Sequence, residues 1–185
     1  MSLVEITAAS HGVDIDLAYA TANNFTGAAI YRRTACYLHP EADACLRRAI
    51  DLAARQGLGL RLYDAFRPSE AQWALWHHTP DPDFVADPRR GSPHSRGIAV
   101  DLTLIDGVGR ELEMGTPFDD FTTLAHHGCT DVSTGAQRNR ALLLGLMSAA
   151  GWDFYRYEWW HYQLFNSRTY PLYSDSALAE PMMTD

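Results

Sequence analysis

The chain has 185 residues, 46% of them hydrophobic and 21% charged, with a formal net charge of −8 at pH 7. That length and composition suit one globular domain spanning residues 1–185, and the acidic balance argues against a surface built for nucleic acid or anionic lipid. Cys36, Cys45 and Cys129 form no CxxC pair and leave an odd count, so neither a disulfide framework nor a thiolate metal site is expected.

The first residues, MSLVEITAASHGVD, have no basic segment followed by an apolar core, and the most apolar run, 141–150, is far shorter than a membrane span. The expectation is a cytoplasmic chain. Asn23-Asn24-Phe25-Thr26-Gly27 reads as a turn or loop. His39-Pro40-Glu41 opens a helix with proline and an acid in its first turn. Leu46, Ala49, Ile50 and Ala53 form its apolar face, and Gly57 closes it. Leu58, Leu60 and Leu62 then alternate with Gly59, Arg61 and Tyr63 as a strand ending in Asp64-Ala65-Phe66-Arg67-Pro68.

Ser69 is placed to cap a short helix through about His78 that carries Trp73 and Trp76. Residues 79–93 hold four prolines without periodicity and read as a long loop. Ile98, Val100, Leu102 and Leu104 alternate with Ala99, Asp101 and Thr103, a strand with one apolar face. Asp106-Gly107 predicts a hairpin whose returning arm is Arg110–Met114. Residues 115–135 are irregular, 136–150 are the clearest helix, and Trp152–Tyr157 and Trp159–Phe165 read as two aromatic-rich strands around Glu158. The tail after Pro171 is weakly patterned and is expected to be partly mobile. Helices and strands mix without regular βαβ alternation, which predicts an α+β fold with a central antiparallel sheet and flanking helices.

Chemistry concentrates in two places. His94 and Asp101 lie seven residues apart, with Gly97 placed to turn the imidazole back toward the carboxylate. A carboxylate in mid-strand among apolar neighbours needs a counter-charge, either a cation or an arginine such as Arg96 or Arg67. Imidazole and carboxylate are both zinc ligands, and a catalytic zinc site wants three protein ligands with an open position. Glu158 and His161 supply a third ligand and a base, if His161 stands in the strand and Glu158 in the turn before it. The plainer alternative makes Glu158 a solvated turn residue and His161 a core histidine. His77, His78, His126 and His127 lack a partner at matching spacing and read as surface residues, with His126 the one placed nearest to supporting the site. Trp159 and Trp160 read as packing and pocket walls.

SPHSRGIAVD fits SxHxxGxAxD and EWWHY fits ExxH. Together with YATANNFTG, LYDAFRP, MGTPFD and AQRNRALL, these motifs resemble the zinc D-alanyl-D-alanine dipeptidases associated with vancomycin resistance. That family belongs to a wider group of DD-peptidases that share a fold with the hedgehog signalling domain. The resemblance covers most of the chain. It implies one Zn²⁺ per chain, held by His94, Asp101 and His161, with Glu158 as the general acid/base that activates water. It implies Arg67 facing the scissile carbonyl, Ser92 beside the first histidine, Asp119 near the substrate ammonium, and Tyr19 in the substrate-binding N-terminal segment. The implied partner is a small D,D-dipeptide, with no nucleic acid or membrane and with homo-oligomer formation left open. The family pattern is departed from at Phe66, where tyrosine is common, at Ala125, where serine is typical, and at Gln163, where glutamate is common. Two other functions fit the same motifs: a zinc DD-carboxypeptidase or endopeptidase acting on peptidoglycan stems, and a non-catalytic zinc-binding domain. A purely structural zinc needs neither Glu158 nor Arg67.

Overall fold

The computed structural model describes residues 2–82 and 84–183. Its strands are β1 (Val4–Ile6), β2 (Asp14–Ile15), β3 (Cys36–Leu38), β4 (Gly59–Asp64), β5 (Ala99–Ile105), β6 (Asp153–Phe154) and β7 (His161–Gln163). Its helices are α1 (Ala8–His11), α2 (Pro40–Ala54), α3 (Ser69–His78) and α4 (Thr134–Ala149). The main sheet has the order β2-β4-β5-β7-β6, and β1 pairs with β3 in a separate two-stranded ribbon. The expected α+β class holds. The sheet is antiparallel except at its edge, where β2 joins β4 in parallel. Among the described residues, no helix is long and apolar enough to cross a membrane.

Helix α2 forms as its sequence dictates. His39 caps it by accepting the Glu41 amide, Pro40 occupies the first turn, and Ala42, Cys45, Leu46, Ala49 and Ala53 are buried. Ser133 caps α4 by accepting the Ala136 amide, and Gly151 follows the helix at φ 100°. The two helices pack on each other, α2 against β4 and α4 against β5 and β6. Leu38, Leu46, Leu60, Leu62, Leu102, Leu104, Trp152 and Tyr162 belong to the one buried cluster between these layers.

β5 is buried on both faces, not on one: Asp101 and Thr103 are as enclosed as Leu102 and Leu104. The register beside it decides where the charges go. Leu60 faces Leu104 and Leu62 faces Leu102, but the next pair is Asp64 with Asp101. One extra residue, Tyr63, is absorbed as a bulge. Without it Asp64 would lie opposite Val100, on the other face of the sheet. On the far side of β5, Asp101 pairs directly with His161. Asp64, Asp101 and His161 therefore form one row across three adjacent strands.

Three expectations are corrected. Residues 110–114 make a single bridge, Ile105 to Glu111, so the Asp106-Gly107 turn leads into no second strand. The two aromatic strands shrink to Asp153–Phe154 and His161–Gln163, because turns take up the residues between them. Ser69 does not cap α3; its Oγ donates to the Tyr173 carbonyl instead. The weakly patterned tail makes backbone hydrogen bonds to the rest of the chain. The Tyr173 carbonyl accepts the Ser69 amide, the Tyr173 amide donates to the Ser95 carbonyl, and the Met182 carbonyl accepts the Arg32 amide. Cys36, Cys45 and Cys129 are free thiols.

Candidate active site

All eight residues singled out in the sequence line one cavity of about 300 Å³: Tyr19, Arg67, Ser92, His94, Asp101, Asp119, Glu158 and His161. They arrive from separate elements. His94 opens a 3₁₀ turn, His94–Arg96, that ends at Gly97 with φ 67°. A Cβ at Gly97 would stand 2.8 Å from Leu3 and 3.2 Å from the His39 amide nitrogen, so both conformation and space require glycine. The turn folds His94 back over β5. His161 begins β7, while Glu158 sits in the preceding turn, where its carbonyl accepts the His161 amide. A ligand-type residue and an acid at i, i+3 thus share one space because the chain turns between them.

The imidazoles are fixed from behind. His94 Nδ1 lies 2.7 Å from the Ala65 carbonyl, which can only accept, so the proton is on Nδ1 and Nε2 presents a lone pair. His161 Nε2 lies 3.1 Å from Gln163 Oε1, which leaves Nδ1 as its inward atom. Those inward nitrogens are 3.1 Å apart. Asp101 completes the group, with Oδ1 3.0 Å from His161 Nδ1 and Oδ2 3.3 Å from His94 Nε2. Two lone pairs and a carboxylate converging in a buried space repel one another unless a cation is shared. The three residues offer ligand atoms within 4.8 Å of one another, and two imidazoles with one carboxylate suit a borderline divalent ion. Burial opposes the charge on Asp101, but the two histidines outweigh it and hold its carboxyl well below the usual range.

Around this group stand a carboxyl and a guanidinium. Burial pushes the Glu158 carboxyl up to about 7, partly offset by His161, whose Nδ1 lies 3.9 Å from Glu158 Oε2. Arg67 donates through Nε to Asp64 Oδ2 at 2.8 Å and through Nη1 to Gln72 Oε1 at 3.0 Å, and its Nη2 stands 3.7 Å from Asp101. The other Asp64 oxygen accepts the Tyr31 hydroxyl at 2.9 Å. The partner weighed for Asp101 is thus Arg67 and not Arg96, which donates to the Tyr170 and Arg90 carbonyls. Burial works against the Arg67 charge, but Asp64 and its neighbours hold the guanidinium above its ordinary value.

Asp119 has φ 58°, an uncommon conformation for a residue other than glycine. It accepts the Tyr19 hydroxyl at 2.9 Å, and burial followed by the field of Asp101 pushes its carboxyl well above the ordinary value. Ser92 is buried, and its Oγ accepts the His94 amide.

Sequence reasoning missed three groups here. Asp64, at the end of β4, holds Arg67 through its Oδ2. Gln72 bridges Arg67 to the Ala86 carbonyl, so it ties the arginine to the 79–93 loop. Arg140 of α4 donates to the Met114, Leu124 and His126 carbonyls and supports the segment carrying Asp119. An inward arginine on an otherwise apolar helix face was the available signal. His126 and His127 are half-buried and not surface residues. His126 shares a neighbouring cavity with Glu158, and His127 packs against Phe154 and Tyr162. Trp160 lines the main cavity, while Trp159 is buried and donates to Thr116.

The sequence model of the peptidase family described as D-ala-D-ala dipeptidase matches residues 1–179. The chain belongs to that family. The family is metal-dependent, in keeping with the His94–Asp101–His161 cluster. A D-alanyl-D-alanine dipeptidase of Escherichia coli K12 is 43% identical over 173 residues, covering 94% of this chain and 90% of that protein. One from Enterococcus faecium is 36% identical over 175 residues, covering 83% and 87%. A Streptomyces coelicolor dipeptidase is 34% identical over 177 residues, covering 83% and 86%. Members of this family are peptidases, and this chain is one of them.

Proposed function

We propose that the chain hydrolyses D-alanyl-D-alanine to two D-alanine molecules with the help of one zinc ion. The observation that carries the reading is the convergence of a three-residue metal-ligand set, a carboxylate tuned to about 7 and a fixed guanidinium on one cavity of about 300 Å³. His94 Nε2, His161 Nδ1 and an Asp101 oxygen hold the ion. When bound, it supplies Lewis acidity that polarises a peptide carbonyl and lowers the pKa of water toward neutrality.

Glu158 takes the proton from the attacking water and returns it to the departing amine. A carboxylate with a pKa near 7 suits both halves of that cycle. Arg67, held by Asp64 and Gln72, aims its charge at the developing oxyanion without having to reorganise. Asp119 with Tyr19 receives the substrate ammonium, which restores the Asp119 charge that burial disfavours. Ser92, whose Oγ accepts from His94, has its own hydroxyl proton to offer the substrate.

The test is release of free D-alanine by zinc-loaded protein from D-Ala-D-Ala, with L-Ala-L-Ala and a D-Ala-D-Ala-terminated pentapeptide in parallel. Turnover of the DD-dipeptide alone is expected. Cleavage of the pentapeptide would place the chain among carboxypeptidases. Stoichiometric zinc without turnover of any peptide would turn the reading to a binding domain.

A further inference from the structure

The two histidines of the candidate metal site are backed by different chemistry. His94 leans on a backbone carbonyl, that of Ala65, which no side-chain replacement removes. His161 leans on a side chain, with its Nε2 3.1 Å from Gln163 Oε1. The period of a strand puts residues 161 and 163 of β7 on the same face. Gln163 is also paired on both flanks, with Ala99 of β5 and Asp153 of β6, so its backbone is fixed in the middle of the sheet. Its side chain lines the cavity.

We propose that Gln163 is a positioning residue for the metal centre: its amide oxygen keeps the His161 proton on Nε2, so that Nδ1 is presented to the ion as a lone pair. This rests on the metal-site reading above. An imidazole without an acceptor behind it divides between two tautomers and two ring orientations, and part of the population then turns an N–H toward the ligand position. Loss of such a partner typically weakens metal binding 10–100-fold.

The amide also does this without adding charge. Asp101, Asp119 and Glu158 already line the cavity, Asp64 lies directly behind Arg67, and Arg67 is the one guanidinium on the wall among the described residues. A carboxylate at position 163 would hold the same proton more strongly and make the ring a better donor. It would also place one more negative group beside the substrate. Glutamine therefore trades some metal affinity for a more electrophilic ion and a less negative chamber.

The experiment measures zinc affinity by competition with a chelating dye, together with the visible spectrum of the Co²⁺ form, for the parent chain, Q163L and Q163E. Leucine should weaken zinc binding about 10–100-fold and alter the Co²⁺ bands, with metal-free thermal stability close to the parent's. Glutamate should bind zinc at least as tightly as the parent. The proposal is overturned if Q163L binds within about threefold of the parent, well short of the loss expected for such a partner. It is equally overturned if Q163E is weakened as much as Q163L, since the ring would then face the amide nitrogen. Should Q163L fail to fold, Q163E decides alone: retained or tighter binding supports the proposal, and weaker binding refutes it. A parent chain that takes up no zinc overturns the metal reading itself, a result distinct from equal binding by parent and variants.

Discussion

Replacing Asp64 by asparagine tests the charge arrangement most directly, because it removes a charge and almost no volume. Asp64 is fully buried and Arg67 nearly so. Its Oδ2 takes both the Nε and Nη2 donors of Arg67 at 2.8 Å. Losing one partner of a buried pair costs about 3–5 kcal/mol, since the other charge is left without compensation. The asparagine oxygen can still accept one hydrogen bond, and Gln72 still accepts another, so the lower figure of about 3 kcal/mol applies. For a chain of this size each kcal/mol moves the melting temperature by about 2–4 °C, which gives a fall of roughly 6–12 °C.

Stability is only half of the expectation. The nearest remaining carboxylate to Arg67 is Asp101, 3.7 Å away. A guanidinium released from Asp64 gains by moving onto it, and an Asp101 oxygen engaged by arginine is a poorer metal ligand. Asp64→Asn should therefore weaken zinc binding as well as lower Tm. Differential scanning fluorimetry of the metal-free protein and a chelator titration read the two effects separately. A cycle with Arg67→Met isolates their cause: once Arg67→Met is in place, adding Asp64→Asn should cost far less than it does in the parent. Additive losses, or a Tm within about 2 °C of the parent, which is under about 1 kcal/mol, would show that the pair is incidental.

Three further changes probe separate parts of the site. Glu158→Gln should keep both zinc and fold while kcat falls by about 10²–10⁴, the usual worth of a general acid–base group; retention of activity within about tenfold in a stopped D-alanine assay would remove Glu158 from the mechanism. Gly97→Ala forces a side chain into a left-handed position against Leu3 and His39, so a loss of about 2 kcal/mol is expected, visible as a lower Tm together with weaker zinc binding because His94 hangs on that turn. His127 is pushed down to about 4 by burial and by Arg140; the unfolded chain then binds more protons between pH 6.5 and 4, so stability is lost as pH falls through that window, by about 2 kcal/mol after allowing for partial exposure. His127→Leu should remove this part of the acid sensitivity, and parallel Tm-against-pH curves for parent and variant would refute it.

The candidate metal ligands were legible because the sequence writes them locally. His94 and Asp101 are joined by a 3₁₀ turn and a glycine, His161 and Glu158 by one turn, and both spacings follow from short-range geometry. The partners that fix those groups were not legible, because they depend on register. Nothing in LYDAFRP announces that Tyr63 bulges, yet that one residue moves Asp64 from opposite Val100 to opposite Asp101. The β2–β4 pairing is two residues long and carries no periodic signal. The tail bonds mostly through its backbone, which leaves no trace in side-chain pattern. Asp106-Gly107 does form a tight turn, but Arg110 spends its side chain gripping Asp106 and does not extend a strand.

The charge balance of the chamber links the site to its substrate. Four carboxylates, Asp64, Asp101, Asp119 and Glu158, surround the guanidinium of Arg67. If all were ionised and both histidines neutral, the group would carry three net negative charges, which an enclosed space sustains poorly. Protonation relieves it before ligands arrive. Burial pushes up the carboxyls of Asp64, Asp119 and Glu158, of which Asp64 is held against Arg67. His161, held above its ordinary value by Asp101 against the effect of burial, is a further place for a proton. A divalent ion removes two of the three charges, and an α-ammonium beside Asp119 removes the third. With both histidines neutral the charges balance when the chamber holds a divalent ion and an ammonium, so on the proposed reading a free ammonium is part of what the chamber selects. An N-acylated peptide lacks that charge and leaves Asp119 to be protonated or uncompensated, whatever the shape of its C-terminal residues. On that reading, a free dipeptide should be preferred over the same two residues at the end of a longer chain for reasons of charge as well as of space. It should weaken in Asp119→Asn, whose kcat/KM ratio for D-Ala-D-Ala over its N-acetyl derivative should fall toward one. An unchanged ratio would mean that the walls alone do the selecting.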